Sequence, residues 1–212
     1  MDLSDIRGKY TTKGLDIPDL DKNPFKQFET WFNDAIQAEV SEPNAMMLAT
    51  VGSDMMPSVR AVLLKTFDEQ GFVFFTNYKS KKAKQIEENP NAASLFSWID
   101  MERQVKIEGS IEKISTADSL KYFLSRPKGS QIGAWVSHQS SIITSRSLLE
   151  QKFDEIKRKF VKGEVPFPDF WGGYIIKPVR IEFWQGGQDR LHDRFLYEKD
   201  ENNSWTITRL AP

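Results

Sequence analysis

The chain has 212 residues, 39% of them hydrophobic, and carries 29 lysines and arginines against 30 aspartates and glutamates, a net charge of -1. That length suits one domain with one sizeable core, and the balanced charge leaves no global positive field for a polyanion, which argues against general nucleic-acid binding. The absence of cysteine excludes disulfides, thiolate catalysis and cysteine-ligated metals, so no metal site is expected and a reducing compartment fits.

Residues 1–22 are polar and aperiodic and read as a flexible arm ahead of a single domain over 23–212. The N-terminus lacks the apolar stretch of a signal peptide, and no run approaches the roughly 20 apolar residues that cross a bilayer. A soluble, cytoplasmic protein is expected. In "KNPFKQFETWFNDAIQAEV", Asn23 caps, Pro24 occupies the first turn, and Phe25, Phe28, Phe32, Ala35 and Ile36 recur at helical spacing. From "AMMLATV" to about residue 114, short apolar or alternating runs between turn signals predict four or five strands, with one short helix near "SKKAKQIEE". "STADSLKYFLS" opens with a capping box, Ser115 to Asp118, and stops before Arg126-Pro127. After a loop, "SRSLLEQKFDEIKRKF" carries an apolar stripe of Leu149, Phe153, Ile156 and Phe160. Strands return in "YIIKPVRIEFW", "DRLHDRFLYE" and "SWTITRL", so the fold class is mainly β, an antiparallel barrel with flanking helices.

Four segments raise questions of chemistry. If 189–197 is a strand, alternation puts Arg190, His192 and Arg194 on one face, about 7 Å apart. Each cationic pair then costs roughly 0.6 kcal/mol in water and roughly 2 to 3 at an effective dielectric near 20. Two readings stand: a solvated face, or an enclosed site where an anionic or electron-rich ligand offsets the repulsion. Lys81 and Lys82 sit in the first turn of a helix capped by Ser80, where the macrodipole disfavours cations; either they are simply exposed, or a phosphate belongs there. Tyr122 and Arg126 lie one turn apart, ahead of Gly129 and Ser130 in a loop, and form either a surface stack or a second phosphate site. "RAVLLK" brackets four apolar residues with Arg60 and Lys65, whose heads alternation sends to opposite faces. Two phosphate-sized sites in an aromatic-rich barrel, with Trp184 and the phenylalanines as planar walls, suggest two phosphorylated ring compounds.

The segments "RAVLLK", "FFTNYKSKKAKQIEENP", "ERQVKIEG", "YFLSRPKGSQIGAWVSHQSS", "FWGGY", "IEFWQGGQDRLHDRFLYE" and the final "RLAP" together resemble the pyridoxamine 5′-phosphate oxidase family, FMN enzymes of the split-barrel class. The resemblance covers nearly everything after residue 23. It implies a homodimer with FMN between subunits, and oxidation of pyridoxamine or pyridoxine 5′-phosphate by O2 to pyridoxal 5′-phosphate with release of hydrogen peroxide. It implies FMN contacts at Arg60, Ala61, Val62, Leu63, Leu64, Lys65, Phe75, Thr76, Lys81, Lys82, Gln104, Gln139, Ser140, Trp184 and Arg194. Lys65, Tyr122, Arg126 and Ser130 fall where the family holds the substrate phosphate. Arg190, Leu191 and His192 fall at the pyridine ring, with Arg190 and His192 as the catalytic candidates, and Arg7 and Tyr10 match an arm that can close over substrate. Phe75 stands where tyrosine is common and Lys81 where arginine is common, which removes a hydroxyl and a bidentate fork. The rival readings are a split-barrel flavin or deazaflavin reductase with another substrate, and a non-catalytic FMN or pyridoxal phosphate carrier.

Overall fold

The computed structural model describes residues 10, 14–136, 139–161 and 163–212. Helix α1 (Pro24–Gln37) begins as its sequence dictates, with the Asn23 side chain accepting the Phe25 N–H and Pro24 in the first turn. Its apolar face closes one side of the core. The Phe28 ring lies 5.0 Å from both Phe72 and Phe96, and Trp31 lies 5.2 Å from Phe183.

The strands are β1 (Ala45–Val51), β2 (Pro57–Leu63), β3 (Thr66–Asp68), β4 (Gly71–Asn77), β5 (Asn91–Trp98), β6 (Arg103–Lys113), β7 (Trp171–Gln185), β8 (Asp193–Lys199) and β9 (Trp205–Leu210). Six strands thus precede residue 114, one more than expected, because the three-residue β3 forms a hairpin with β4. All pairings are antiparallel, in the order β2-β1-β5-β6-β7-β4-β3. The long β7 pairs with β4 through its first half and with β8 through its second, and β9 extends that branch, so the sheet divides along one strand. At the other end the Lys65 N–H donates to Val73 O at 2.8 Å, which draws the β2 exit toward β4 without a continuous ladder. Opposite Glu108/Gly109 the register skips Val179, a bulge that bends β7 against β6. Glycine is required there, since a Cβ on Gly109 would lie 2.0 Å from Lys177 O.

The short helix α2 (Lys81–Glu88) is capped by Ser80, whose side chain accepts the Ala83 N–H. In α3 (Thr116–Ser125) the Ser115 hydroxyl accepts the Asp118 N–H, but Asp118 returns its carboxylate to that hydroxyl rather than to the backbone, so the expected capping box is half formed. The loop expected around Gly129 and Ser130 is instead the first turn of α4 (Lys128–Val136), opened by Pro127 O accepting from Ser130 and Gln131. Ile132 and Val136 of α4, Phe123 of α3 and Trp171 form a second apolar cluster, on which Leu149, Phe153, Ile156 and Phe160 of α5 (Arg146–Lys159) pack.

Two further expectations need correction. Residues 189–192 are not strand: Gln188–Arg190 is a 3-10 turn with Asp189 and Arg190 at φ 54° and 67°, and β8 starts only at Asp193. Of the expected arm over 1–22, the described residues from 14 onward are fastened to the body. Leu15 is buried in the main core, its N–H donates to Asp193 Oδ2 at 2.9 Å, and Arg209 pairs with both Asp16 and Asp193.

Candidate functional site

The exit of β2, the end of β4, α2, α3, α4 and Trp171 enclose a groove of about 610 Å³. It gathers Ala61, Val62, Leu63, Lys65, Phe75, Thr76, Lys82, Tyr122, Arg126, Ser130 and Gln139 of the expected site. Among the described residues three cations line it, and no carboxylate does. Lys82 is 8% exposed; its Nζ donates to Thr76 Oγ1 at 3.1 Å and Gln139 Oε1 at 3.0 Å. Burial, and secondarily the Arg60 charge, push its pKa down to about 8. Burial likewise lowers the pKa of Arg126, whose guanidinium carbon stands 4.6 Å from the Trp171 ring centre and whose Nη1 is buried with no hydrogen-bond partner among the described residues. A buried N–H of that kind costs about 1 to 3 kcal/mol unless a ligand accepts it. One wall is a stack of rings, Phe75 on Tyr122 at 3.9 Å and on Trp171 at 5.4 Å.

Within the stretch 60–65, two residues lie outside this groove. Leu64 is in the core, and the Arg60 guanidinium bonds Leu48 O, Thr50 Oγ1 and Gln85 Oε1. Lys81 also separates from Lys82, because adjacent helical residues point about 100° apart. It lines a neighbouring depression with Lys79, Lys84, Gln139, Ser140 and Ser141, and its N–H donates to Ser140 Oγ at 3.2 Å.

A second groove, of about 340 Å³, holds Gln104, Trp184 and Arg194 together with Leu95, Lys106, Glu182 and Pro212. Beside it, His192 lies 4.7 Å from Trp184, with Tyr10 edge-on to both at 5.0 and 6.0 Å and the Arg190 guanidinium 5.8 Å from the Tyr10 ring. The Gly187 N–H donates to His192 Nδ1 at 3.1 Å, which orients the ring and engages that nitrogen. The turn thus sets Arg190 and His192 around Tyr10, with His192 against Trp184, without the strand alternation first expected. Leu191 is 72% exposed and lines neither groove. Arg7 lies outside the described residues.

The two grooves share no residue but open on one face of the sheet. Cross-strand partners follow one another as Ala61, Met47, Leu95, Lys106 and Glu182. Between and beside the grooves this face exposes Met47, Val59 and Leu63. Sequence reasoning missed Lys106, Trp171 and Glu182. A carboxylate inside the otherwise apolar "IEFW" stretch was the available signal for the last.

A family model for pyridoxamine 5′-phosphate oxidase matches residues 32–160, and one for the pyridoxine 5′-phosphate oxidase C-terminal dimerisation region matches residues 171–212. The chain belongs to the pyridoxamine 5′-phosphate oxidase family. It is 79% identical over 212 residues to a pyridoxine/pyridoxamine 5′-phosphate oxidase of Aliarcobacter butzleri and 62% identical over 214 residues to one of Crocosphaera subtropica, spanning the whole of both chains in each case. PhzG from Burkholderia lata 383, solved in complex with tetrahydrophenazine-1-carboxylic acid, has a TM-score of 0.89 at 29% identity, covering 97% of this chain and 100% of its own. A pyridoxamine 5′-phosphate oxidase-related, FMN-binding protein from Nostoc punctiforme gives 0.72 at 16% identity over 89% and 97%, a likeness of fold. The mainly β fold with flanking helices is thus the family's split barrel.

Proposed function

We propose that the protein oxidises pyridoxamine 5′-phosphate or pyridoxine 5′-phosphate to pyridoxal 5′-phosphate, with FMN as cofactor and O2 as acceptor, releasing hydrogen peroxide; with the amine substrate, water hydrolyses the imine and ammonia leaves. Family membership and full-length identity to named oxidases support the activity. The observation that carries the assignment to this site is the first groove: among the described residues it has three cations, no lining carboxylate and a buried, unpartnered guanidinium N–H, which is a donor set for phosphate. FMN, held by these residues, would supply the two-electron redox chemistry that links the substrate to O2.

The chain's own residues bind and orient. Lys65, Tyr122, Arg126 and Ser130 hold the substrate phosphate. Lys82, Thr76, Gln139 and Ser140 hold the flavin phosphate, with Lys81 and Arg60 adding charge from the flanks, and the backbone of 61–64 lines the flavin. Arg190 and His192 address the pyridine ring, His192 through Nε2 since Nδ1 is engaged. Arg190 guides the departing proton, and Tyr10 shields the site from water. Gln104, Trp184 and Arg194 contact FMN from a second subunit. The division of FMN residues between two grooves, the exposed Met47 and Val59 and the match to a dimerisation region support that homodimer. No helix among the described residues is long and apolar enough to cross a membrane, and the cysteine-free composition fits the cytoplasm.

The test is an aerobic incubation with FMN and each vitamin phosphate, following aldehyde and peroxide together. The reading predicts equal amounts of both. A yellow protein that makes neither is a carrier, and a flavoprotein that turns over only other substrates is a reductase of the same fold.

A further inference from the structure

Glu182 is the one carboxylate among the described residues that line the second groove, and only 6% of the residue is exposed. A buried carboxylate persists only with cationic or hydrogen-bonding partners. The sheet register supplies two. Lys106 is its direct cross-strand partner, and Arg194, opposite Trp184, lies on the diagonal two residues along. Each oxygen takes one cation: Oε1 accepts from Arg194 Nε at 2.8 Å and Oε2 from Lys106 Nζ at 2.9 Å. Arg194 Nη1 also donates to Ala211 O at 2.9 Å, beside Pro212 in the same groove. Two of the three guanidinium nitrogens are therefore fixed, and Nη2 is left to present to a ligand. Burial opposes ionisation of Glu182, but the bonds from Arg194 and Lys106 outweigh it and hold its pKa below the usual carboxylate range.

We infer that Glu182 is a positioning residue for the flavin, acting through Arg194: it fixes the plane of the guanidinium so that Nη2 faces the cofactor, while Lys106, which also pairs with Glu108, holds the other carboxylate oxygen in place. The inference rests on the reading that Arg194 contacts FMN. A side chain that only stabilised the sheet would affect folding, not the coupling between its own replacement and that of Arg194.

The experiment is a double-mutant cycle on FMN affinity, read by quenching of flavin fluorescence on titration of the apoprotein, for the parent, Glu182→Gln, Arg194→Gln and the double variant. Apoprotein melting curves run alongside. Glu182→Gln is expected to raise the FMN Kd about tenfold, and the double variant to bind within about twofold of Arg194→Gln alone, because both replacements remove one interaction. A parental Kd in Glu182→Gln, or effects that multiply in the double variant, would overturn the inference and leave the Arg194 contact standing. A parental Kd in Arg194→Gln would instead remove that contact, and the inference with it. If Glu182→Gln shows no melting transition, Glu182→Asp takes its place, since it keeps the charge and withdraws the carboxylate by one methylene; the same weakening and the same absence of additivity are expected.

Discussion

Lys82 should make flavin retention depend on pH in a range where most lysines do not titrate. Its ammonium is buried in the first groove, donates to Thr76 and Gln139, and has its pKa pushed down to about 8 by burial and then by Arg60. A bound phosphate dianion favours the charged form, so the pKa rises on binding and binding takes up a proton. Affinity is therefore full below pH 8 and falls as pH rises through 8. At pH 9 about one apoprotein in eleven holds Lys82 charged, so the Kd should be about tenfold larger than at pH 7, or about 1.4 kcal/mol. Fluorescence titration of apoprotein with FMN at pH 7, 8 and 9 measures this directly. Lys82→Met should bind weakly at all three values and show no slope. A Kd constant within about twofold from pH 7 to 9 would refute the reasoning, as would the same slope in Lys82→Met.

Arg190→Ala should lower turnover by at least about a hundredfold while FMN binds nearly as before, since Arg190 lines neither groove; unchanged turnover in a steady-state peroxide assay would remove it from the mechanism. Gly187→Ala should cost turnover more than stability, because its Cβ would lie 2.1 Å from Leu191 O and would force apart the turn that presents Arg190 and His192; comparing melting temperature with kcat separates the two effects. Phe28→Ala, fully buried among Phe72, Phe96 and Trp98, should destabilise the apoprotein by about 3 to 5 kcal/mol in denaturant titration without changing the pH dependence of FMN binding.

The elements with local signals were legible in the sequence. Asn23-Pro24, Ser80 and Ser115 mark three helix starts, and the Leu149 stripe marks a fourth helix. Helix α4 was not legible, because Gly129 and Gly133 are poor helix formers, and packing of Ile132 and Val136 on Phe123 and Trp171 outweighs that propensity. The row Arg190, His192, Arg194 alternates like a strand, yet the preceding "QGGQD" carries turn chemistry, and Asp189 tolerates the left-handed conformation it adopts. The individual cations of the site could be picked out one by one. What could not be read was their distribution between two grooves, since that depends on the register of β6, β7 and β8 and on the angle between Lys81 and Lys82 on α2.

The most direct measurement is a crystal structure of the protein with FMN and pyridoxal 5′-phosphate. The account predicts one phosphate against Lys65, Arg126 and Ser130, another against Lys82 and Thr76, and Trp184 and Arg194 of a second copy completing the flavin site. Both phosphates bound elsewhere, with Arg126 Nη1 still unpartnered, would contradict it.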